Sequence, residues 1–169
     1  MDRLKRLRLL ARWTNPRLDS GSPAFLPSPI TPATATAVQV LQVGRDEELR
    51  ATLSGLLEED QFHLSDVADA PAALHLLRAS PQPMLAVLDC RPPHLQGWQV
   101  LSEIAPADRR RDRALSRHVY LAIVAERMPL SEPLLELLRQ PRVQVLEHPA
   151  EPDLLLGLIT LAALDLLLH

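Results

Sequence analysis

Between Val38 and Leu168, short aliphatic runs alternate five times with segments of helical spacing, and few folds accommodate that rhythm. Val38–Val43 is a β-branched run. From Asp46 to Glu59, Leu49, Leu53 and Leu56/Leu57 recur every three or four residues, as one face of a helix requires. Phe62–Val67 reads as a weaker strand. A helix follows from Pro71, whose fixed φ suits a first turn, to about Ala79. Met84–Leu88 and Val119–Ala125 are unbroken apolar runs of the length expected for strands buried on both faces. Trp98–Ala105 is predicted as a short helix stopped by Pro106. Leu130–Leu138 is another helix, Val143–Leu146 a fifth strand and Asp153–Leu168 the closing helix. Five β/α units in strict alternation predict an α/β protein with a doubly wound parallel sheet, helices lying on both faces.

The 169-residue length suits one such domain with an appendage. Residues 1–37 carry six Lys/Arg against two Asp/Glu, whereas residues 38–169 carry twelve against nineteen. From Pro16 to Ala37 the chain is rich in Pro, Ser, Thr and Ala and too poor in apolar surface to offset chain entropy. The predicted division is therefore a basic, proline-rich, flexible extension over 1–37 and a folded domain over 38–169. An acidic body, in a chain with 3% aromatic residues, disfavours nucleic acid as a partner. The single cysteine, Cys90, excludes an intramolecular disulfide and fits a reducing cytoplasm. No apolar run reaches the roughly 18 residues that span a bilayer, and no signal peptide is read at the N-terminus.

Phosphate-cradling and hydrolytic signatures are absent: there is no GxGxxG, GxxxxGK[ST], GxSxG or HExxH. The informative segment is Leu85–Leu101, LAVLDCRPPHLQGWQVL, in which Asp89 ends an apolar run, Pro93 follows four residues on and Gly97 four more. It closely resembles the third strand, loop and third helix of bacterial response-regulator receivers. His148–Pro149 resembles the Lys-Pro pair that closes their fifth strand, commonly through a cis bond, and Ala125–Glu126 matches the end of the fourth. The resemblance covers about residues 38–168. It implies a flavodoxin-like (βα)5 fold with strand order 2-1-3-4-5 and makes Asp89 the phospho-acceptor position, in the crevice at the carboxyl ends of the strands.

Elsewhere the sequence departs from that family. Receiver phosphorylation uses a magnesium ion held by the acceptor aspartate and by an acidic pair after the first strand. Those positions hold Gly44 and Arg45 here, so the Mg2+ site is expected to be lost and no cofactor is expected. Asp46 and Glu47, just beyond, read as first-turn acids of the first helix. The family's Thr/Ser after strand four is Val124, its lysine is His148, and its switching aromatic is Val145. The resemblance thus implies a degenerate receiver whose pocket comprises Gly44, Arg45, Asp89, Val124, His148 and Pro149.

One reading makes Asp89 a strand-end residue without chemistry. A second pairs it with Arg45 in place of the metal, and a third restores a rearranged metal site through Asp46. His148 reads as a partly buried histidine filling the lysine's space, or a pH sensor facing Asp89. Cys90 reads as a packing residue, and Trp98 as a seal between the third helix and the sheet.

The expected function is an atypical single-domain response regulator acting by protein–protein contact, with a histidine kinase or another regulator as partner. No enzyme activity is expected. The alternatives are a conventional receiver phosphorylated on Asp89 and a small-anion-binding enzyme on the same fold. Leu154–Leu156, Leu158, Leu161, Leu164 and Leu168 give the last helix more apolar surface than one core-facing stripe needs, which suggests a partner or a homodimer through it. No effector domain is expected after that helix. The basic residues 1–13, with Leu4, Leu7 and Leu10 on one face, read as a tail folding on a protein partner, or weakly on a membrane surface. Asp108–His118, DRRRDRALSRH, reads as a solvated loop or a dock for an acidic surface.

Overall fold

In the computed structural model of the chain, residues 37–110 and 113–168 are described, residues 106–110 by their backbone. Five strands, β1 (Val38–Val43), β2 (Phe62–Val67), β3 (Met84–Asp89), β4 (Val119–Ala125) and β5 (Val143–His148), form one parallel sheet in the order β2-β1-β3-β4-β5. The helices among the described residues are α1 (Glu47–Leu56), α2 (Ala70–Ala79), α3 (Gln96–Arg110), α4 (Arg113–Ser116), α5 (Glu132–Leu138) and α6 (Pro152–Leu168). The predicted doubly wound architecture and strand order are those observed.

The alternation of side chains along buried strands explains why both sheet faces need cover. Leu41, Ala86, Leu88, Tyr120 and Val124 point to one side and pack with Leu77, Trp98, Leu101 and Ile104 of α2 and α3. Val40, Leu85, Val87, Leu121 and Ile123 point to the other and pack with Leu53 of α1 and Leu155, Ile159 and Ala162 of α6. Every residue of β3 is buried, as its continuous apolar run requires.

Aspartates start the helices that follow β1 and β2. Asp46 caps α1 by accepting from the Leu49 N–H at 3.0 Å, and Asp69 caps α2 by accepting from Ala72 N–H at 2.9 Å. Asp46 is thus the cap itself, one position before the first turn in which it was expected.

The predicted stop at Pro106 is overturned: α3 continues to Arg110, and α4 follows before β4. An interior proline removes one N–H donor and crowds the carbonyl four residues back, a local cost, and the apolar stripe Val100, Leu101 and Ile104 already anchors α3 before that point. Much of the expected basic loop 108–118 is therefore helical, and the side chains of 106–112 lie outside the described residues. Its last member, His118, is fully buried, so it is no part of a solvated patch. The expectations for residues 1–36 likewise lie outside the described residues. Among those described, no helix is long and apolar enough to cross a membrane.

Candidate functional site

The carboxyl ends of β1 and β3, adjacent in the sheet, bring together two carboxylates and a guanidinium. Asp89 closes β3 and is fully buried. Beside it Gly44 takes φ +135°, and a Cβ built there would lie 3.2 Å from the Asp89 Cβ. The glycine therefore lets the end of β1 pass close to Asp89, at a conformation other residues seldom adopt. Asp46 is brought to the same place by its own cap and by Gln42, whose buried Nε2 donates to the Asp46 carbonyl at 2.9 Å.

Between the two carboxylates stands Arg91. Its Nε donates to Asp89 Oδ1 at 2.9 Å and its Nη2 to Asp89 Oδ2 at 3.2 Å, a two-pronged contact matching guanidinium to carboxylate. The backbone N–H of Arg91 also donates to Asp89 Oδ1, at 3.1 Å. The same Nη2 forms an ion pair with Asp46 Oδ2. Side-chain exposure is 0% for Asp89, 15% for Arg91 and 20% for Asp46, so the triad is largely withdrawn from solvent screening.

Burial pushes the Asp46 carboxyl upward, but the Leu49 N–H and Arg91 outweigh it and hold the group below its ordinary value. The hydrogen bonds that Arg91 donates to Asp89, opposed by burial and aided by the charges of Asp89 and Asp46, hold Arg91 protonated above its ordinary value. A shallow cleft above the triad is lined by Asp46, Asp89, Arg91, Pro92, Pro93 and His94.

These contacts correct two expectations. An arginine does pair with Asp89, but it is Arg91 and not Arg45, whose exposed side chain does not line the cleft. Arg45 lies one residue beyond the glycine that turns the chain at the end of β1, whereas Arg91 reaches back over its own loop. Nothing in the alternation of apolar residues pointed to Arg91; its signal was its place two residues after a buried strand-end aspartate. His148 is exposed and outside the cleft lining, so it is neither a partly buried filler nor in contact with Asp89. Its backbone sits at the sheet edge, where the carbonyl accepts from the Glu126 N–H at 2.8 Å and the bond to Pro149 is cis. Val124 is buried in the core on the α2–α3 side, and Val145 is 41% exposed.

Cys90 and Trp98 behave as read. The Cys90 thiol is buried, and burial together with the charge of Asp89 pushes it up to about 12, which leaves it protonated and unreactive. The Trp98 indole donates to the Cys90 carbonyl at 2.8 Å and closes α3 onto the sheet.

Gly97 is the residue that permits this closure. A Cβ there would meet the Asp89 carbonyl oxygen at 2.6 Å and the Cys90 Sγ at 2.5 Å, and the first of these is backbone that cannot swing away. Gly97→Ala is accordingly expected to lower stability by about 2–3 kcal/mol through overpacking, seen as a shift of the urea midpoint. An unshifted midpoint would show that α3 rides outward freely.

No family model and no curated protein matches the sequence at a significant level. Solved structures do match. The signal receiver domain of a Vibrio parahaemolyticus protein described as a Luxo repressor aligns with TM-score 0.59 and 21% identity, over 78% of this chain and 94% of that one. The fold is that of a receiver domain. A CheY-like response regulator receiver from Methanospirillum hungatei JF-1 aligns with TM-score 0.57 and 16% identity, over 77% of this chain and 96% of that one. An adenylate cyclase structure from Rhodopirellula baltica also aligns, with TM-score 0.57, 18% identity and coverage of 75% and 87%. Receiver architecture therefore fits the described domain along its length, while at these identities the residues of the site must speak for its chemistry.

Proposed function

We propose that this chain is an atypical response-regulator receiver, a pseudo-receiver that signals by protein–protein contact without phosphotransfer at Asp89. The observation that carries this reading is the Arg91 guanidinium lying between Asp46 and Asp89. Phosphoryl transfer to a carboxylate needs charge neutralisation of the incoming group and a free carboxylate oxygen to attack it. Here both Asp89 oxygens accept from Arg91, and the neutralising charge is already supplied by the protein itself.

The donor set does not fit magnesium. That ion takes oxygen ligands in near-octahedral geometry, whereas glycine and arginine occupy the acidic-pair positions and a fixed cation covers the two carboxylates that remain. The positions of a phosphoryl-binding hydroxyl and lysine hold Val124 and the exposed His148. No step of a phosphorelay is therefore assigned to this pocket, and the role proposed is non-enzymatic.

What remains functional is surface. The face built from α5, β5 and α6 is the proposed contact region, and a histidine kinase or another regulator is the class of partner. The proposed location is the cytoplasm, a compartment that keeps a free thiol such as Cys90 reduced.

The test is incubation of the intact chain with acetyl phosphate and magnesium, followed by intact-mass measurement. The expected result is an unmodified chain under conditions that phosphorylate an ordinary receiver control. A phosphoryl increment that disappears in Asp89→Asn would instead establish the conventional reading.

A further inference from the structure

The helix α6 carries leucines on two sides, yet the domain covers one of them. Leu155, Ile159, Ala162 and Ala163 are buried against the sheet. On the opposite side Leu154 is 54% exposed, Leu161 50%, Leu164 43% and Leu168 80%. These four, with the half-buried Gly157 and Leu158, follow steps of three and four residues and make an outward stripe, interrupted by Asp165 between Leu161 and Leu168. A helix hydrophobic on both faces normally has both faces covered.

Charge along β5 and α6 themselves is one-sided. From Val143 to Leu168 there is no Lys or Arg, while Glu147, Glu151, Asp153 and Asp165 are all exposed. Glu151 and Asp153 stand at the amino end of the stripe and form its acidic rim with Glu147. An anionic lipid surface would be repelled by this rim. A second copy would bring the same carboxylates on its own α6 and no cation from that helix to offset them.

We infer that the outward stripe of α6 docks a cationic amphipathic helix, whose apolar face covers Leu154, Leu158, Leu161 and Leu168 while flanking Lys or Arg side chains meet the acidic rim. This rests on the reading of the chain as a contact-only module and names the chemistry of its partner. Apolar burial would supply the affinity, and the carboxylates would set orientation and exclude acidic competitors.

Fluorescence anisotropy of the full chain with synthetic helical peptides of about 15 residues tests the assignment. A Leu/Lys amphipathic peptide is expected to bind saturably. A Leu/Glu peptide of the same pattern and a Lys/Ser peptide without an apolar face are expected to bind roughly tenfold more weakly or not at all. The double substitution Leu154→Ser with Leu161→Ser, at exposed positions that leave the core intact, should weaken Leu/Lys binding by roughly tenfold or more. Glu151→Gln with Asp153→Asn should weaken it less and flatten its salt dependence. Leu95→Ser, at a 55% exposed leucine remote from α6 in sequence, serves as the control and should change nothing.

Equal binding of the Leu/Glu peptide, or unchanged binding by the double serine variant, would overturn the assignment. So would self-association by light scattering that the serine variant abolishes and the peptide fails to displace, since the occupant would then be a second copy. The two proposals fail separately. Phosphate on Asp89 would remove the contact-only reading, whereas an unmodified Asp89 with no peptide binding at α6 removes the partner assignment alone.

Discussion

Replacing Arg91 by alanine is expected to destabilise the domain by about 3 kcal/mol and, at the same time, to make its stability respond to magnesium. The substitution strips the counter-charge from a carboxylate with no solvent exposure and from a second that is 20% exposed. Removing one partner of a buried charge pair costs about 3–5 kcal/mol because the other charge remains behind, and the lower end applies to a triad that water can partly reach. Two neighbouring unpaired carboxylates then form the beginning of a divalent-cation site. Urea unfolding with and without millimolar magnesium measures both effects. The unaltered chain should show no magnesium dependence, and Arg91→Ala should regain part of its loss as the cation is added.

Arg91→Lys is the sharper control, because an ammonium cannot reproduce the forked contact with both Asp89 oxygens while reaching Asp46. It should recover less than half of the alanine penalty. If instead Arg91→Ala is as stable as the parent, the guanidinium is a surface ornament and the account of the pocket fails. A magnesium response in the unaltered chain would be equally damaging, since it would mean the arginine yields its place to the ion.

The second large effect concerns acid stability and lies at the opposite end of the sheet. His118 is fully buried, with Nδ1 accepting from the Met84 N–H at 3.0 Å and Nε2 2.7 Å from the Leu77 carbonyl, which assigns the proton to Nε2. Burial, opposed by the Leu77 hydrogen bond and aided by the charge of Arg117, brings its pKa down from about 6.5 to about 4. The folded ring is therefore neutral in a range where the unfolded ring takes up a proton. Its contribution is whole above about pH 6.5 and is lost as pH falls toward 4, because protons bind the unfolded chain first.

The expected loss over that interval is up to about 3 kcal/mol, at 1.36 kcal/mol for each unit of displacement. His118→Gln preserves an acceptor for Met84 and a donor for Leu77 without a titrating ring. Urea midpoints between pH 7 and pH 4 should decline much less steeply in that variant than in the parent. Parallel declines would assign the acid sensitivity to other groups. The ring thus serves the join between α2, β3 and β4, and no exposed basic patch includes it.

How far the chain could be read before folding differs from one part to another. The rhythm of Val38–Val43, Met84–Leu88 and Val119–Ala125 between helical spacings carried the parallel sheet, because side-chain periodicity follows directly from backbone geometry. The spacing of Asp89, Pro93 and Gly97 carried the end of β3, and Gly97 is now explained by a backbone carbonyl that leaves no room for a Cβ. Pro106 misled because a proline's cost to a helix is local, while the anchoring of α3 by Trp98, Leu101 and Ile104 is tertiary. Arg45 misled for a related reason: position along the chain said which residue followed β1, but not where its side chain would go.

The sequence by itself determined that this chain builds a five-stranded α/β domain, that an aspartate ends its third strand, and that glycine and arginine stand where two acids would be needed beside it. Which arginine answers Asp89, that Asp46 shares it, that His148 faces solvent and His118 the core, and that α6 keeps one apolar side uncovered were decided by the tertiary structure. The physical reason is the range of the forces involved. Periodicity and capping act within a few residues and leave a pattern in the chain, whereas ion pairing and burial depend on distances in space that only the packed sheet and its loops define.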